Sequence, residues 1–153
     1  MAVNSAALLT PVGCLALVES QGAITRLLWD GENSGARSDV LKRGIDQLEA
    51  YFARELDTFD LPLNPGGSDF QRSVYDQMLA IPLGETRTYG QIAEAVGQPP
   101  QPVGQACGSN PIPVIIPCHR VVGADNIGGF SGDGGVEMKV QLLRHEGAYS
   151  LLL

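Results

Sequence analysis

The sequence lacks most of the features that place a protein in a membrane, outside the cell or around a metal. No apolar run is long enough to span a bilayer, and the N-terminus lacks the basic and then apolar pattern of a secretory signal, so we expect a cytoplasmic protein without membrane contact. The three cysteines form no Cys-x-x-Cys pair, and an odd number in a chain without a signal favours free thiols. The two histidines lie far from any zinc-binding spacing, so we expect no metal site.

Positive charge is also scarce. The chain has 10 Lys and Arg against 17 Asp and Glu, which gives a formal net charge of −7, and neither half is basic. This composition argues against a protein that holds nucleic acid mainly by releasing counterions. Any contact with DNA should therefore be local, weak and sensitive to salt.

The first part of the chain is predicted to be an α/β lobe. Apolar runs on both sides of Ser20-Gln21-Gly22 predict a β-hairpin, whereas the first dozen residues carry no clear signal. Apolar residues at helical spacing predict an amphipathic helix from about Ser38 to Arg54, and residues 59–63 suggest a short edge strand. The segment Asn64-Pro65-Gly66-Gly67 is typical of a linker.

The second part is predicted to be mainly helical. Capping patterns at Ser68 and Thr88 each begin a helix, and Gly97 ends the second one. A third helix is expected at about 100–107, because proline is tolerated in a first turn, and a closing helix at 136–145. Two short helices across a tight turn indicate a helix-turn-helix, although many helical bundles share that pattern.

The segment 111–122 carries the chemistry. Its β-branched apolar run predicts a buried strand, and Cys118 and His119 stand side by side where the run breaks. The thiolate is the reactive form of cysteine, and a neighbouring base is the usual way to obtain it. An isolated Cys-His pair is more often an inert thiol beside a surface histidine, but the flanking prolines and valines favour a reactive thiol here. A papain-type hydrolase is disfavoured, since adjacent side chains seldom aim at one another.

The chain as a whole resembles the O6-alkylguanine-DNA alkyltransferases, also called methylated-DNA–protein-cysteine methyltransferases. The resemblance covers nearly all of residues 69–147, and the first part matches more loosely. The matching residues are Phe70-Gln71, Ile81-Pro82-x-Gly84-Glu85-Thr86, Tyr89-Gly90, Val103-Gly104, Asn110-Pro111, Ile116-Pro117-Cys118-His119-Arg120-Val121, Gly129-Phe130-Ser131-Gly132, Lys139, Leu142-Leu143 and Glu146-Gly147.

The resemblance implies an α+β protein with two lobes. The first, residues 1–63, would be a scaffold with a ribonuclease-H-like sheet and helix. A linker at 64–68 would join it to residues 69–153, a winged-helix-like helical lobe with the helix-turn-helix and the active-site cysteine. Members flip an O6-alkylated guanine out of double-stranded DNA and move the alkyl group onto the cysteine once. We therefore expect a monomeric DNA-repair methyltransferase that needs no cofactor and also accepts O4-alkylthymine more weakly.

Family likeness also assigns catalytic roles. Cys118 would be the nucleophile, His119 would take its proton through a bound water, and Glu146 would orient the imidazole. Asn110 would tie the turn between the recognition helix and the active-site segment. Tyr89 would help to rotate the nucleotide and protonate the leaving guanine; without the resemblance it is equally well a core aromatic.

Further residues would line the pocket or contact DNA. Backbone carbonyls of Cys118 and Val121 would accept hydrogen bonds from the guanine amino group. The other expected pocket residues are Pro113 and Phe130 as walls, Ser131 as donor toward O6, and Cys107 on the helix facing the pocket. The expected DNA contacts are Gln101, Thr88, Tyr89, Gly104 and Arg120.

This chain departs from the family pattern at three places. Gln101 stands where members usually insert an arginine into the duplex, and no Lys or Arg occurs between Arg87 and Arg120. Phe130 replaces a tyrosine found in many members. Cys107 stands where members often have an apolar residue, and it is better explained as a small helix-packing side chain.

Two other functions therefore stay open. One is a module that binds alkylguanine lesions without transfer, as the related alkyltransferase-like proteins do with tryptophan in place of the cysteine. The other is a thiol alkyl acceptor that acts on a small molecule, detached from DNA, which the acidic charge and the missing arginine would suit.

Overall fold

The computed structural model describes residues 4–129 and 135–148 and divides the chain into two compact units, Met1–Gly66 and Gly67–Leu153. The division falls inside the segment 64–68 that the sequence marks as a linker. Strands and helices are segregated along the chain rather than alternating, so the predicted α+β class is confirmed. No helix among the described residues is long and apolar enough to cross a membrane.

The first unit is a three-stranded antiparallel sheet with one helix on it. The strands β1 (Asn4–Thr10), β2 (Gly13–Ser20) and β3 (Ala23–Trp29) lie in chain order, so the predicted hairpin is present and the sequence missed β1. The hairpin turns tightly because Gln21 and Gly22 both adopt positive φ, 53° and 80°.

A single amphipathic helix covers the sheet. The helix α1 (Asp39–Phe52) begins after Ser38, whose hydroxyl accepts a hydrogen bond from the Leu41 N–H at 3.2 Å. The expected edge strand at 59–63 is reduced to one isolated bridge between Ile24 and Leu63.

The second unit is mainly helical. Its helices are α2 (Asp69–Leu79), α3 (Tyr89–Val96), α4 (Pro100–Gly108) and α5 (Val136–His145), and its two short parallel strands are β4 (Arg87–Thr88) and β5 (Val121–Val122). Reciprocal capping boxes begin α2 and α3, as the sequence predicts. Gly97, with φ 71°, ends α3, and α4 starts three residues later at Pro100, with proline in its first turn.

The predicted buried strand at 111–117 is wrong. The run is buried but coiled: the Ile116 N–H donates to the Ile112 carbonyl at 2.9 Å, and Val114 has a φ of 72°. The prolines within the run have no N–H to give to a strand ladder, which explains why it does not join a sheet. Asn110 closes the coil, since its side chain accepts from the Ile112 N–H at 3.0 Å and donates to the Ile116 carbonyl at 2.8 Å.

Candidate active site

Cys118 lies at the end of this coil, where the segment 118–120 forms a single 3-10 turn before β5. Its exposed fraction is 6 %, and burial raises the pKa of its thiol. A hydrogen bond from the Asn110 side chain and the charge of Lys139 act in the opposite direction. The resting group is therefore a thiol, and its reaction requires a proton acceptor.

A chain of buried charges begins next to the cysteine. His119 Nε2 donates to Glu146 Oε2 at 2.7 Å, and both side chains are fully buried. Arg120 donates to both oxygens of the same carboxylate, from Nε to Oε1 at 2.9 Å and from Nη2 to Oε2 at 3.0 Å. Its Nη1 donates to the Ile81 carbonyl at 2.6 Å. The two-point contact fixes the carboxylate in one orientation, which in turn fixes the imidazole.

The charges in this chain set the proton positions. Burial favours the neutral form of Glu146, but attraction and hydrogen bonds from His119 and Arg120 outweigh it and lower the pKa of Glu146. Burial lowers the pKa of His119, and the charges of Arg120 and Lys139 act in the same direction, against the attraction of Glu146. A neutral imidazole beside a carboxylate carries its proton on Nε2. Nδ1 is then an acceptor, and among the described residues it has no hydrogen-bond partner.

Sequence reasoning assigned no role to Lys139, although this side chain is fully buried in the same region. Its Nζ donates to the Val121 carbonyl at 2.6 Å and to the Gly129 carbonyl at 3.0 Å. The signal was present in the sequence: Lys139 shares the apolar face of α5 with Leu142 and Leu143, three and four residues further on.

Tyr89, the first residue of α3, lies against Lys139 and against residues 127–129, the described part of a glycine-rich segment called the glycine loop below. The Lys139 ammonium is 5.7 Å from the centre of the Tyr89 ring. Gly128 has a φ of 77°, and a Cβ built on it would lie 3.0 Å from the Tyr89 hydroxyl, so the space between the loop and the ring has no room for a side chain. Burial raises the pKa of Tyr89, which keeps the phenol protonated and able to donate.

The expected pocket residues are only partly visible. Pro113 and Val121 are buried beside the cysteine turn, whereas Phe130 and Ser131 lie outside the described residues. Cys107 is buried with its sulfur 3.7 Å from Met78 Sδ, and burial raises the pKa of Cys107 to about 12. Cys107 is therefore an uncharged packing group at neutral pH.

The expected DNA contacts differ in exposure. Gln101 is exposed on the first turn of α4, and a Cβ added at Gly104 would meet no atom within 4 Å. The Thr88 hydroxyl caps α3 by accepting from the Gln91 N–H at 3.1 Å. Arg120 requires a correction, because its guanidinium is buried and bonded through all three nitrogens inside the unit. Its hydrogen bonds to Glu146 and to the Ile81 carbonyl hold the guanidinium inside the unit, away from the surface where a phosphate would bind.

Comparison with known proteins links this geometry to a family. Residues 6–65 match the family model described as 6-O-methylguanine DNA methyltransferase, ribonuclease-like domain, and residues 69–148 match the corresponding DNA binding domain. The methylated-DNA–protein-cysteine methyltransferase of Methanosarcina acetivorans is 50 % identical over 113 residues, which are 72 % of this chain and 71 % of that protein. The protein of the same name from Mycolicibacterium paratuberculosis is 40 % identical over 151 residues, 92 % and 90 % of the two chains.

Solved structures agree with the sequence comparison. The crystal structure of Mycobacterium tuberculosis O6-methylguanine methyltransferase is 37 % identical with a TM-score of 0.85, and the match covers 97 % of this chain and 94 % of that one. The structure of Mycobacterium tuberculosis OGT in complex with DNA is 38 % identical with a TM-score of 0.83, covering 95 % and 93 %. The two family models together account for both units, and the identity holds along nearly the whole chain. The chain therefore belongs to the 6-O-methylguanine DNA methyltransferase family, the methylated-DNA–protein-cysteine methyltransferases.

Proposed function

We propose that this protein repairs DNA by moving the alkyl group of an O6-alkylguanine in double-stranded DNA onto the sulfur of Cys118, once per molecule. The observation that carries the proposal is the chain Arg120–Glu146–His119 beside Cys118, in which the imidazole Nδ1 is buried, has no hydrogen-bond partner in the described part of the chain and can accept a proton. Such a chain activates a neighbouring thiol whose own pKa burial has raised.

The transfer step balances with groups of the protein alone. His119 Nδ1 takes the Cys118 proton, through a bridging water, and Glu146 stabilises the imidazolium that forms. The thiolate attacks the alkyl carbon, so the sulfur–carbon bond forms as the carbon–O6 bond breaks. The electron pair of the broken bond stays on guanine, which takes a proton from the Tyr89 phenol. Tyr89 regains a proton from solvent and His119 releases the Cys118 proton to solvent, so no proton is gained or lost overall. The step uses no metal or cofactor, and the thioether on Cys118 is permanent.

Base recognition follows from the backbone around the cysteine. A stacked guanine cannot present its alkyl carbon to a side chain, so the nucleotide must leave the helix. The Cys118 carbonyl accepts the Val121 N–H, and the Val121 carbonyl accepts Lys139 Nζ, which leaves each carbonyl one lone pair for the guanine amino group. Thymine has no such amino group, which is a reason for O4-alkylthymine to be the weaker substrate.

We assign DNA contact and the alkyl acceptor to residues 69–153, scaffold to 1–63 and the connection to 64–68. The helices α3 and α4 form the helix-turn-helix, and Gln101 is proposed to fill the gap left by the flipped base. Because α4 carries no Lys or Arg, contact with phosphates is expected to be weak. We propose that the protein acts as a monomer, since one chain supplies every group that the step uses.

Intact-mass measurement tests the proposal. The protein is incubated either with a duplex containing O6-methylguanine or with free O6-benzylguanine, and the Cys118 peptide is then sequenced by mass spectrometry. Gain of methyl and benzyl on Cys118 is the expected result. Duplex binding without a mass gain would instead support a lesion sensor, and gain of benzyl alone would support an acceptor detached from DNA.

A further inference from the structure

Lys139 is a fully buried cation that has no carboxylate partner among the described residues. Its ammonium is satisfied by two backbone carbonyls, which accept hydrogen bonds but bring no full negative charge. A buried charge is normally paired, because the loss of hydration is otherwise costly. Burial lowers the pKa of Lys139 to about 8, and the groups that oppose this lowering are the thiols Cys118 and Cys107.

The surroundings of Lys139 leave one candidate for its counter-charge. The neighbouring titratable groups are Tyr89 from α3, Cys107 from α4, and Cys118 and His119 from the cysteine turn. Burial raises the pKa of Tyr89 and brings that of Cys107 to about 12, so both stay neutral at physiological pH. Arg120 and Glu146 are paired with each other. Of the described groups near Lys139, Cys118 is the one that must be an anion before the alkyl group moves, whereas Tyr89 gives up its proton only as the bond to O6 breaks.

The contacts of Lys139 also join three parts of the site. The Val121 carbonyl, 2.6 Å from Nζ, directly follows the turn that carries the cysteine. The Gly129 carbonyl, 3.0 Å away, belongs to the glycine loop. The Tyr89 ring, 5.7 Å from Nζ to its centre, presents its face to the ammonium, an arrangement that is attractive for a cation. One side chain from α5 therefore holds the nucleophile's turn, the loop and the phenol together.

We propose that Lys139 is a positioning residue for the transfer reaction: its fixed charge stabilises the Cys118 thiolate, and its contacts hold Tyr89 and the glycine loop beside it. This inference rests on the proposed alkyl transfer to Cys118. It assigns to α5 a second contribution, separate from the Glu146 carboxylate that follows the helix.

The proposal separates an electrostatic role from a merely structural one. Methionine has a similar length to lysine and no charge, so Lys139→Met removes the charge and fills the same space. It also leaves the Val121 and Gly129 carbonyls without this donor, so a loss of stability is expected whether the role is electrostatic or structural. A purely structural lysine would lose stability on this change without altering the ionisation of Cys118. The ionisation of Cys118 is therefore the decisive readout.

The experiment follows the alkylation of Cys118 by iodoacetamide as a function of pH, without DNA, and quantifies the Cys118 peptide by mass spectrometry. We expect Lys139→Met to raise the pH midpoint of Cys118 alkylation by about one unit. Alkylation by iodoacetamide near pH 7 should then be about tenfold slower than in the wild type. Lys139→Arg keeps the charge and should restore most of the wild-type midpoint. Lys42→Met, which removes the exposed lysine of α1, is the matched control and should leave the midpoint unchanged.

An unchanged midpoint in folded Lys139→Met would overturn the proposal. If that variant does not fold, the wild-type profile decides: coupling to Lys139 predicts a titration of Cys118 broader than a one-proton curve, and a simple one-proton curve would contradict it. Transfer from the O6-methylguanine duplex is measured on the same preparations. A shifted midpoint without any transfer by the wild type would count against the proposed function and leave the electrostatic role of Lys139 standing.

Discussion

The two units of the protein treat buried charge differently. In the described part of the first unit, Glu19 is the single charged residue in the core, whereas the second unit buries His119, Arg120, Lys139 and Glu146. The four titratable residues of the second unit lie in the cysteine turn or are bonded to it and to the residue that follows it. A core made almost entirely of apolar side chains serves stability alone. A cluster of titratable side chains inside a core reduces that stability and therefore indicates a functional site.

The two buried carboxylates show the same contrast. Glu19 is held by neutral donors, first the Ser38 side chain and then the Gly22 N–H at 3.2 Å, which lower its pKa. Glu146 is held by the imidazole of His119 and the guanidinium of Arg120. The first carboxylate fastens a turn to a helix start, and the second sets the orientation and protonation of a proposed base.

The largest expected effect is that of Cys118→Ala, which should abolish alkyl transfer. Because the change removes one sulfur from a buried turn, we expect unfolding free energy to fall by roughly 1 kcal/mol or less. The matched variant is Cys14→Ala in the first unit, where the thiol lies near the Gly31 carbonyl, and it should transfer normally. Intact mass after incubation with the alkylated duplex measures both, and a mass gain in Cys118→Ala would point to another nucleophile.

The next effect is that of Glu146→Gln, compared with Glu19→Gln. Removing the carboxylate charge leaves Arg120 buried without a counter-ion, which should cost about 3–5 kcal/mol of unfolding free energy. The imidazole loses the anion that stabilises its protonated form, so transfer should slow by at least about tenfold. Glu19→Gln should lower the free energy of unfolding by less and leave the transfer rate unchanged. Urea unfolding measures the stability of both variants, and single-turnover kinetics measure their transfer rates.

Acid pH provides an independent check on Glu146. Its pKa is lower in the folded than in the unfolded protein, so its stabilising contribution is fully present above the unfolded pKa of about 4.3 and is lost as pH falls below it. The stability difference between wild type and Glu146→Gln should therefore shrink in acid. A difference that stays constant from pH 7 to pH 3 would show that the charge of Glu146 is not what stabilises the second unit.

A smaller effect is expected from Gly128→Ala, compared with Gly22→Ala in the first unit. Both glycines have positive φ, 77° and 80°, so each alanine should cost roughly 1 kcal/mol of backbone strain. A Cβ at Gly22 meets nothing within 4 Å, whereas at Gly128 it lies 3.0 Å from the Tyr89 hydroxyl and 3.2 Å from Lys139 Nζ. Gly128→Ala should therefore slow transfer roughly tenfold by displacing these groups. Equal transfer rates in the two variants would show that the glycine loop does not contribute to the reaction.

Helices could be predicted from the sequence wherever the residues that begin or end them stand next to them in the chain. The capping boxes at Ser68 and Thr88, the stop at Gly97 and the helix 136–145 appear in the structure where the residues indicate them. The segment 111–117 was wrongly predicted to be a strand. A β-branched apolar run indicates that the segment is buried, but it does so equally well for a strand and for a turn. What decides between them is the closure by the Asn110 side chain, which bonds residues two and six positions further on, and the prolines, which cannot join a sheet.

The candidate site was only partly predictable. Family likeness pointed to Cys118, His119 and Glu146, whose roles stay proposals, but it placed Arg120 on DNA. A surface arginine and a buried one look alike in a sequence, and only the fold shows Arg120 bonded to the Glu146 carboxylate 26 residues away. Lys139 was given no role for a related reason. One polar residue on an apolar helix face is visible in the sequence, but its role cannot be deduced until its contacts are known.

The smallest expected effect concerns the surface of the second unit rather than its core. Gln101 is exposed on α4, a helix without Lys or Arg, so Gln101→Arg would add a cation where the duplex is proposed to lie. One new phosphate contact should tighten duplex binding severalfold and steepen the plot of log affinity against log salt by about one unit. Gln141→Arg, on the exposed side of α5, adds the same net charge and is the matched control. Because bulk attraction would act on both variants alike, an equal change in the two would mean that position 101 does not face DNA, and a change confined to Gln101→Arg would locate the duplex on α4.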